Sequence, residues 1–403
     1  MDNQVQISKW CIVTGSVQGA THKYLGIPNQ DADDYFQDTP ENLPVILSIA
    51  DGLGSPDFFR SDRGSRFAVE AAVESAKQFL DHVREIDELS EPDIQEQFCR
   101  TYAHLWMEQV TKDYREDPPE NTVIESNERK ATFYYQSTGF ENDTQKSEAI
   151  AAYPYSTTSI TLIASPQFLI LVQIGNGDVL MIEPSGFISR PFPAILQDIG
   201  VLSMSLPESW KLFEIWHRDC SDGSLPVAIF LITDGYRDSY DLEQDFEKYC
   251  ISVFHDLFTR YDINTIREGI GSVLDRISLE GSGDDITIGI LYDPEVLRNT
   301  TLSFPELPQP CEEVPVTPVP EISDVDTVVK PMDDEMSKSQ ESPAGSPIEK
   351  HASGLAKSYE PVPASGDQTV PLTGPSGIPD TDTDQAKPTS KDQEPVDPGK
   401  EKG

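Results

Sequence analysis

The chain is 403 residues long, with 70 acidic against 30 basic residues and a formal net charge of −40. A chain this negative excludes nucleic acid and anionic membranes as partners, because both bind through cationic patches. It suits hard divalent cations, which take oxygen ligands.

The N-terminal run MDNQVQISKWCIV has neither a basic start nor a sustained apolar core, so it does not read as a signal peptide. Val45–Ala50 (VILSIA) is the first predicted strand. A helix is predicted from Gly64 to His82, where Phe67, Ala68, Ala71, Ala72, Ser75, Phe79 and Leu80 recur at three- and four-residue spacing. A second runs from Asp93 to Lys112 on Ile94, Phe98, Tyr102, Leu105 and Trp106. Residues 113–152 are polar, contain Pro118-Pro119 and show no period, so an insertion or loop is expected there. Three strands follow at Thr158–Ala164, Phe168–Gly175 and Asp178–Pro184. Their connections, Ser165-Pro166-Gln167 and Asn176-Gly177, are so short that antiparallel hairpins are expected. Pro226–Thr233 and Asp285–Tyr292 read as further strands, with helices over Leu242–Phe258 and Asn264–Ile277 between them. Strands and helices grouped without regular alternation predict an α+β fold: an antiparallel β-sandwich flanked by pairs of α-helices.

That domain is expected over residues 1–295, followed by a Pro-rich, acidic, disordered tail over 296–403. From Thr301 onward lie 17 of the 32 prolines and only two aromatic residues, Phe304 and Tyr359. Such a segment buries too little apolar area to offset the entropy of ordering it. The tail holds eight Lys and 20 Asp or Glu, a net −12, so residues 1–300 still carry −28. Thr317-Pro318, Ser342-Pro343 and Ser346-Pro347 are its candidate docking or modification motifs for protein partners. Five scattered cysteines without a Cys-x-x-Cys pair fit a reduced, cytoplasmic chain. No apolar run approaches the roughly 20 residues that span a bilayer.

The chemistry is carried by apolar strands that end in aspartate beside glycine. These are Ala50-Asp51-Gly52 and Thr233-Asp234-Gly235, with Gly283-Asp284-Asp285 as their mirror image entering the last strand. Asn29-Gln30-Asp31 and Gly177-Asp178 add two more. Each alone is most simply a turn. Strands of one sandwich end at a common rim, however, and carboxylates gathered there repel one another unless a cation lies between them. Asp51, Asp234 and Asp284 with the Gly52 carbonyl would form an oxygen cage for magnesium or manganese.

In this order, Asn29-Gln30-Asp31-Ala32, Ala50-Asp51-Gly52-Leu53-Gly54-Ser55, Gly177-Asp178, Thr233-Asp234-Gly235-Tyr236-Arg237-Asp238 and Gly281-Ser282-Gly283-Asp284-Asp285-Ile286-Thr287 resemble the metal-dependent type 2C (PPM) protein phosphatases, most closely their compact bacterial branch. The resemblance spans roughly residues 10–293. It implies a phosphoprotein serine/threonine phosphatase with two Mn2+ or Mg2+ ions and a weaker third. Asp51 would bridge the two metals, the Gly52 carbonyl would serve one, and Asp234 and Asp284 would complete the first site. Asp31 would act through metal-bound water, and Asp178 and Asp238 match the positions of the third ion. A metal-bridged hydroxide would attack phosphoserine or phosphothreonine directly. The family's phosphate-clamping arginine has no counterpart here; His22 and Lys23 are the candidates for that work. Gln30 also stands where the family often has glutamate, and Val179 where many members have serine.

Other chemistries fail on residues. A tyrosine-phosphatase cysteine needs Arg six positions on, where this chain has Val17, Leu105, Pro226, Asp256 and Thr317. The six histidines lie away from the Gly-Asp motifs, against a calcineurin-like site, and there is no Gly-x4-Gly-Lys loop. The competing expectation is a weak or inactive domain that binds phosphoproteins or scaffolds a partner. The missing arginine favours it, and the retained aspartates oppose it.

Overall fold

The computed structural model describes residues 10–83, 89–135, 140, 142–193 and 201–304. The described residues all fall within one unit, Met1–Val316. The tail's Thr-Pro and Ser-Pro motifs lie outside them. In chain order the elements are β1 (Cys11–Val17), α1 (Ala20–Leu25), β2 (Asp31–Gln37), β3 (Val45–Asp51), α2 (Ser61–Val83) and α3 (Glu91–Asp93). A π-helical stretch, Ile94–Cys99, joins α3 to α4 (Arg100–Glu116), and α5 (Asn121–Tyr134) and α6 (Asp143–Ala152) follow. Then come β4 (Ser159–Ala164), β5 (Phe168–Ile174), β6 (Asp178–Ile182), β7 (Ile188–Ser189), β8 (Glu214–Asp219) and β9 (Ala228–Ile232). A helical turn α7 (Asp234–Arg237), α8 (Glu243–Arg260), α9 (Ile263–Glu280), β10 (Ile286–Tyr292) and α10 (Pro294–Arg298) complete the domain.

Two five-stranded antiparallel sheets form the predicted sandwich, in the orders β1-β10-β9-β6-β7 and β2-β3-β4-β5-β8. The unbroken apolar runs follow from burial on both faces. Along β3, Ile46 and Ala50 pack toward α2 and α4, while Val45, Leu47 and Ile49 pack toward the other sheet. Along β9, Ala228, Phe230 and Ile232 meet α8 and α9, and Ile229 and Leu231 point between the sheets. The core therefore has three layers, one between the sheets and one under each helical pair.

Three expectations change. The turn at Asn176-Gly177 is no hairpin: β5 pairs with β4 and β8, whereas β6 pairs with β9 and β7, so the chain crosses there from one sheet to the other. Segment 113–152 is mostly helical, in the end of α4, α5 and α6. Its packing is aromatic rather than aliphatic, with Tyr134, Tyr135 and Tyr153 edge-on to one another, and Tyr134 and Tyr153 edge-on to Phe58. The Asn142 side chain caps α6 by accepting the Gln145 N–H at 3.0 Å. The domain also continues past residue 295: Leu297 is buried, Leu302 and Phe304 pack beneath the α8–α9 side, and Ser303 bridges Phe187. Among the described residues no helix is long and apolar enough to cross a membrane, and the thiols of Cys99, Cys220 and Cys250 are free and buried.

Candidate metal centre

Register decides where the carboxylates go. Asp31 and Asp51 are direct partners across β2 and β3, so their side chains share one face at the strand ends. Asp234 follows β9 and Asp284 precedes β10, at the matching end of the other sheet. A hydrogen bond from Thr233 Oγ1 to Asp31 Oδ2, 2.9 Å long, ties the two sheets together at this rim. One pocket is lined by Asp51, Gly52, Leu53, Gly54, Asn176, Val201, Asp234, Asp284 and Asp285.

The electrostatics bear on what fills it. Burial, then the neighbouring Asp31 and Asp234 carboxylates, push Asp51 well above the usual carboxylate range. Asp31 is raised well above its ordinary value by burial first and then by Asp285, against the hydrogen bonds of Thr287 and Thr233. Asp284 is raised too, chiefly by burial, with Asp234 adding to it. Gly52 has no room for a side chain, since a Cβ there would lie 2.6 Å from the Ser61 carbonyl oxygen and 2.7 Å from that of Gln30. The backbone can therefore run close beside the carboxylates. Acidic groups so crowded, with oxygen as the only donor type among them, match the needs of magnesium or manganese.

The remaining candidates separate. His22, on α1, lies 2.9 Å by Nδ1 from Asp285 Oδ1 and 3.8 Å by Nε2 from Asp284 Oδ1, at the lip of the pocket. Lys23 points elsewhere, with Nζ 2.7 Å from Asp275 on α9. Asp178 and Asp238, the residues expected at a third ion, are both engaged by arginine. Asp178 is buried and bonded to Arg190 and to Arg237, the latter at 2.9 Å. The Arg237 Nε also reaches Asp238 at 3.2 Å. A carboxylate opposed by two guanidinium groups has its charge answered by protein. The residue that does face the centre from this turn is Asn176, because the crossing between sheets carries it to the rim. The Asn-Gly dipeptide offered only a turn signal.

Asp285 is the second residue the motif reading left without a role. It is buried and accepts the backbone N–H of Gly19 and of Gln30, each at 2.6 Å, through its two oxygens. It thereby ties the segment that carries His22, Gln30 and Asp31 to the start of β10.

A rim rich in carboxylates on a helix-covered β-sandwich is the kind of surface that suits hard divalent cations. The sequence profile of the protein phosphatase 2C family matches residues 18–268, and the chain belongs to that family. It is a metal-dependent phosphatase of phosphoserine and phosphothreonine in proteins. The profile match ends before Asp284, which the fold returns to the same pocket. No curated protein sequence matches the chain. Similar solved structures include the Mycobacterium tuberculosis serine/threonine phosphatase PstP/Ppp, at 12% identity over 70% of this chain and 98% of that one, with a TM-score of 0.40. PppA of Pseudomonas aeruginosa is 14% identical over 71% and 98%, with a TM-score of 0.38. The S. agalactiae serine/threonine phosphatase is 12% identical over 70% and 99%, with a TM-score of 0.38. The family assignment rests on the profile match alone.

Proposed function

We propose that Asp31, Asp51, Asp234 and Asp284, with the Gly52 carbonyl, hold two divalent cations, manganese or magnesium, for the hydrolysis of phosphoserine and phosphothreonine. When bound, such a pair supplies a water acidic enough to serve as nucleophile near neutral pH and offsets charge on the transferring phosphoryl group. Asp51, between Asp31 on its own sheet and Asp234 on the other, is the residue able to serve both positions. Asp31 has one oxygen engaged by Thr233, which leaves the other for a water-mediated role. Among the described residues that line the pocket there is no Lys or Arg. His22 at the lip is a candidate for a direct contact with the phosphoryl group. The convergence of Asp51 from one sheet with Asp234 and Asp284 from the other on a single pocket is the observation that carries the reading.

The test is hydrolysis of p-nitrophenyl phosphate and of a phosphothreonine peptide with Mn2+, with EDTA, and in the Asp51→Ala and Asp234→Ala variants. Loss with EDTA and a fall in kcat/KM of at least about a hundredfold in each variant are expected, as for removal of a principal electrostatic group. Activity that survives both EDTA and Asp51→Ala would overturn the assignment.

A further inference from the structure

Asn176 occupies an unusually constrained position. Gly175 before it sits at φ 109°, and a Cβ there would lie 2.5 Å from the Thr158 side chain. A Cβ on Gly177 after it would lie 2.7 Å from Ile160 Cδ1 and 2.9 Å from the Ile232 carbonyl oxygen. Two glycines thus press the turn against the sandwich and leave Asn176 as its only side chain. The Asn176 carbonyl oxygen accepts from Arg237 Nη1 at 2.8 Å, and the same Nη1 donates to Asp178 Oδ2 at 2.9 Å. Arg190 holds Asp178 from the other side and lies 3.3 Å from Glu247 on α8. The backbone of the turn is therefore fixed from behind. From its front, Asn176 Nδ2 donates to Asp234 Oδ2 at 2.6 Å.

We propose that Asn176 is a positioning residue for the metal centre: its amide fixes the rotation of the Asp234 carboxylate and directs the other oxygen, Oδ1, into the pocket. The inference rests on the reading of Asp234 as a metal ligand. Two properties of an amide suit the task. It donates a hydrogen bond to a carboxylate, so it stabilises the ionised form that a cation requires. It also adds no charge to a rim already crowded by Asp31, Asp51 and Asp284, where a carboxylate would deepen the repulsion. The Arg237–Asp178–Arg190 cluster supports the turn from behind.

The test is isothermal titration calorimetry of the full chain with MnCl2, on the wild type, Asn176→Ala and Asn176→Leu, each checked for folding by its metal-free melt. Leucine keeps the bulk of asparagine without its donor, so the pair separates hydrogen bonding from packing. Loss of an outer-shell partner weakens metal binding by about ten- to a hundredfold, and that weakening is expected in both variants. Activity toward p-nitrophenyl phosphate is expected to return when Mn2+ is raised above the shifted Kd, with KM little changed. If Asn176→Leu binds Mn2+ within twofold of the wild type, the positioning role is refuted, whether or not alanine is tolerated. If the wild type itself binds no Mn2+, the metal-centre reading fails and this inference falls with it. That result is distinct from normal wild-type binding with unaffected variants.

Discussion

Replacing Asp285 by alanine tests how the N-terminal segment is held against the last strand. The carboxylate is buried, and each of its oxygens accepts one backbone N–H, from Gly19 and from Gln30, at 2.6 Å. Alanine leaves both N–H groups without their acceptor, and a buried donor left unsatisfied costs about 1–3 kcal/mol. Part of that loss is offset, because the Asp285 charge also raises Asp31 and its removal relieves that repulsion. The expected net loss is about 2–4 kcal/mol. For a domain of this size, that lowers the melting temperature by about 3–6 °C. Asparagine keeps one acceptor oxygen but turns its NH2 toward the other N–H, so Asp285→Asn should lose less, roughly half as much. The assay is calorimetric melting of the full chain in EDTA, where no metal masks the difference. A shift under 2 °C for Asp285→Ala would show that Gly19 and Gln30 find other acceptors and that the carboxylate is no clasp. Because the clasp joins the segments that bear Asp31 and Asp284, Mn2+ affinity should weaken along with stability.

Asp31 and Asp51 are both raised by burial and by neighbouring carboxylates, so the fold favours their protonated forms. Their contribution to stability is whole below the ordinary carboxylate pKa of about 4 and is lost as pH rises through the raised values. Cations bind the ionised forms, so the Mn2+-induced gain in melting temperature should grow from pH 5.5 to 7.5; a flat or shrinking gain in scanning fluorimetry would contradict this. A chain ended at Asp293 loses α10 and the Ser303 bridge, and burial of Leu297 alone is worth about 1.5–3 kcal/mol. Its melt should fall by several degrees relative to a chain ended at Phe304, and equal melts would show that residues 294–304 add nothing.

Much of the sandwich was legible because its strands are buried on both faces. Val45–Asp51 and Ile286–Tyr292 are apolar at nearly every position, and no surface compromise disguises them. The elements that escaped are those whose sequence answers to something else. β2 reads Asp-Ala-Asp-Asp-Tyr-Phe-Gln, polar because it is an edge strand and brings acid to the rim, and β8 reads Glu-Ile-Trp-His-Arg-Asp at the opposite edge. α5 and α6 were hidden because tyrosines and alanines, rather than a leucine stripe, make their contacts.

The candidate site was legible in the carboxylates that line its pocket and illegible in their supports, and one cause accounts for both. A carboxylate at a strand end keeps a local signature, an apolar run broken by Asp-Gly, so Asp51, Asp234 and Asp284 could be found one at a time. A supporting group has no local signature, because its role is set by a partner far along the chain. Asp285 acts on Gly19 and Gln30, more than 250 residues away, and Asn176 acts on Asp234 across a change of sheet. The choice of Asp178 over Asn176 follows from the same cause. A tight Asn-Gly turn suggests a hairpin, and only the pairing of β6 with β9 shows that the turn changes sheets. With Asp178 aligned to Ile232, continuing the register by two residues brings Asn176 level with Asp234, while Asp178 itself falls back among arginines. In this fold a displacement of two residues along a strand therefore exchanges a group that lines the carboxylate pocket for one that anchors the turn behind it.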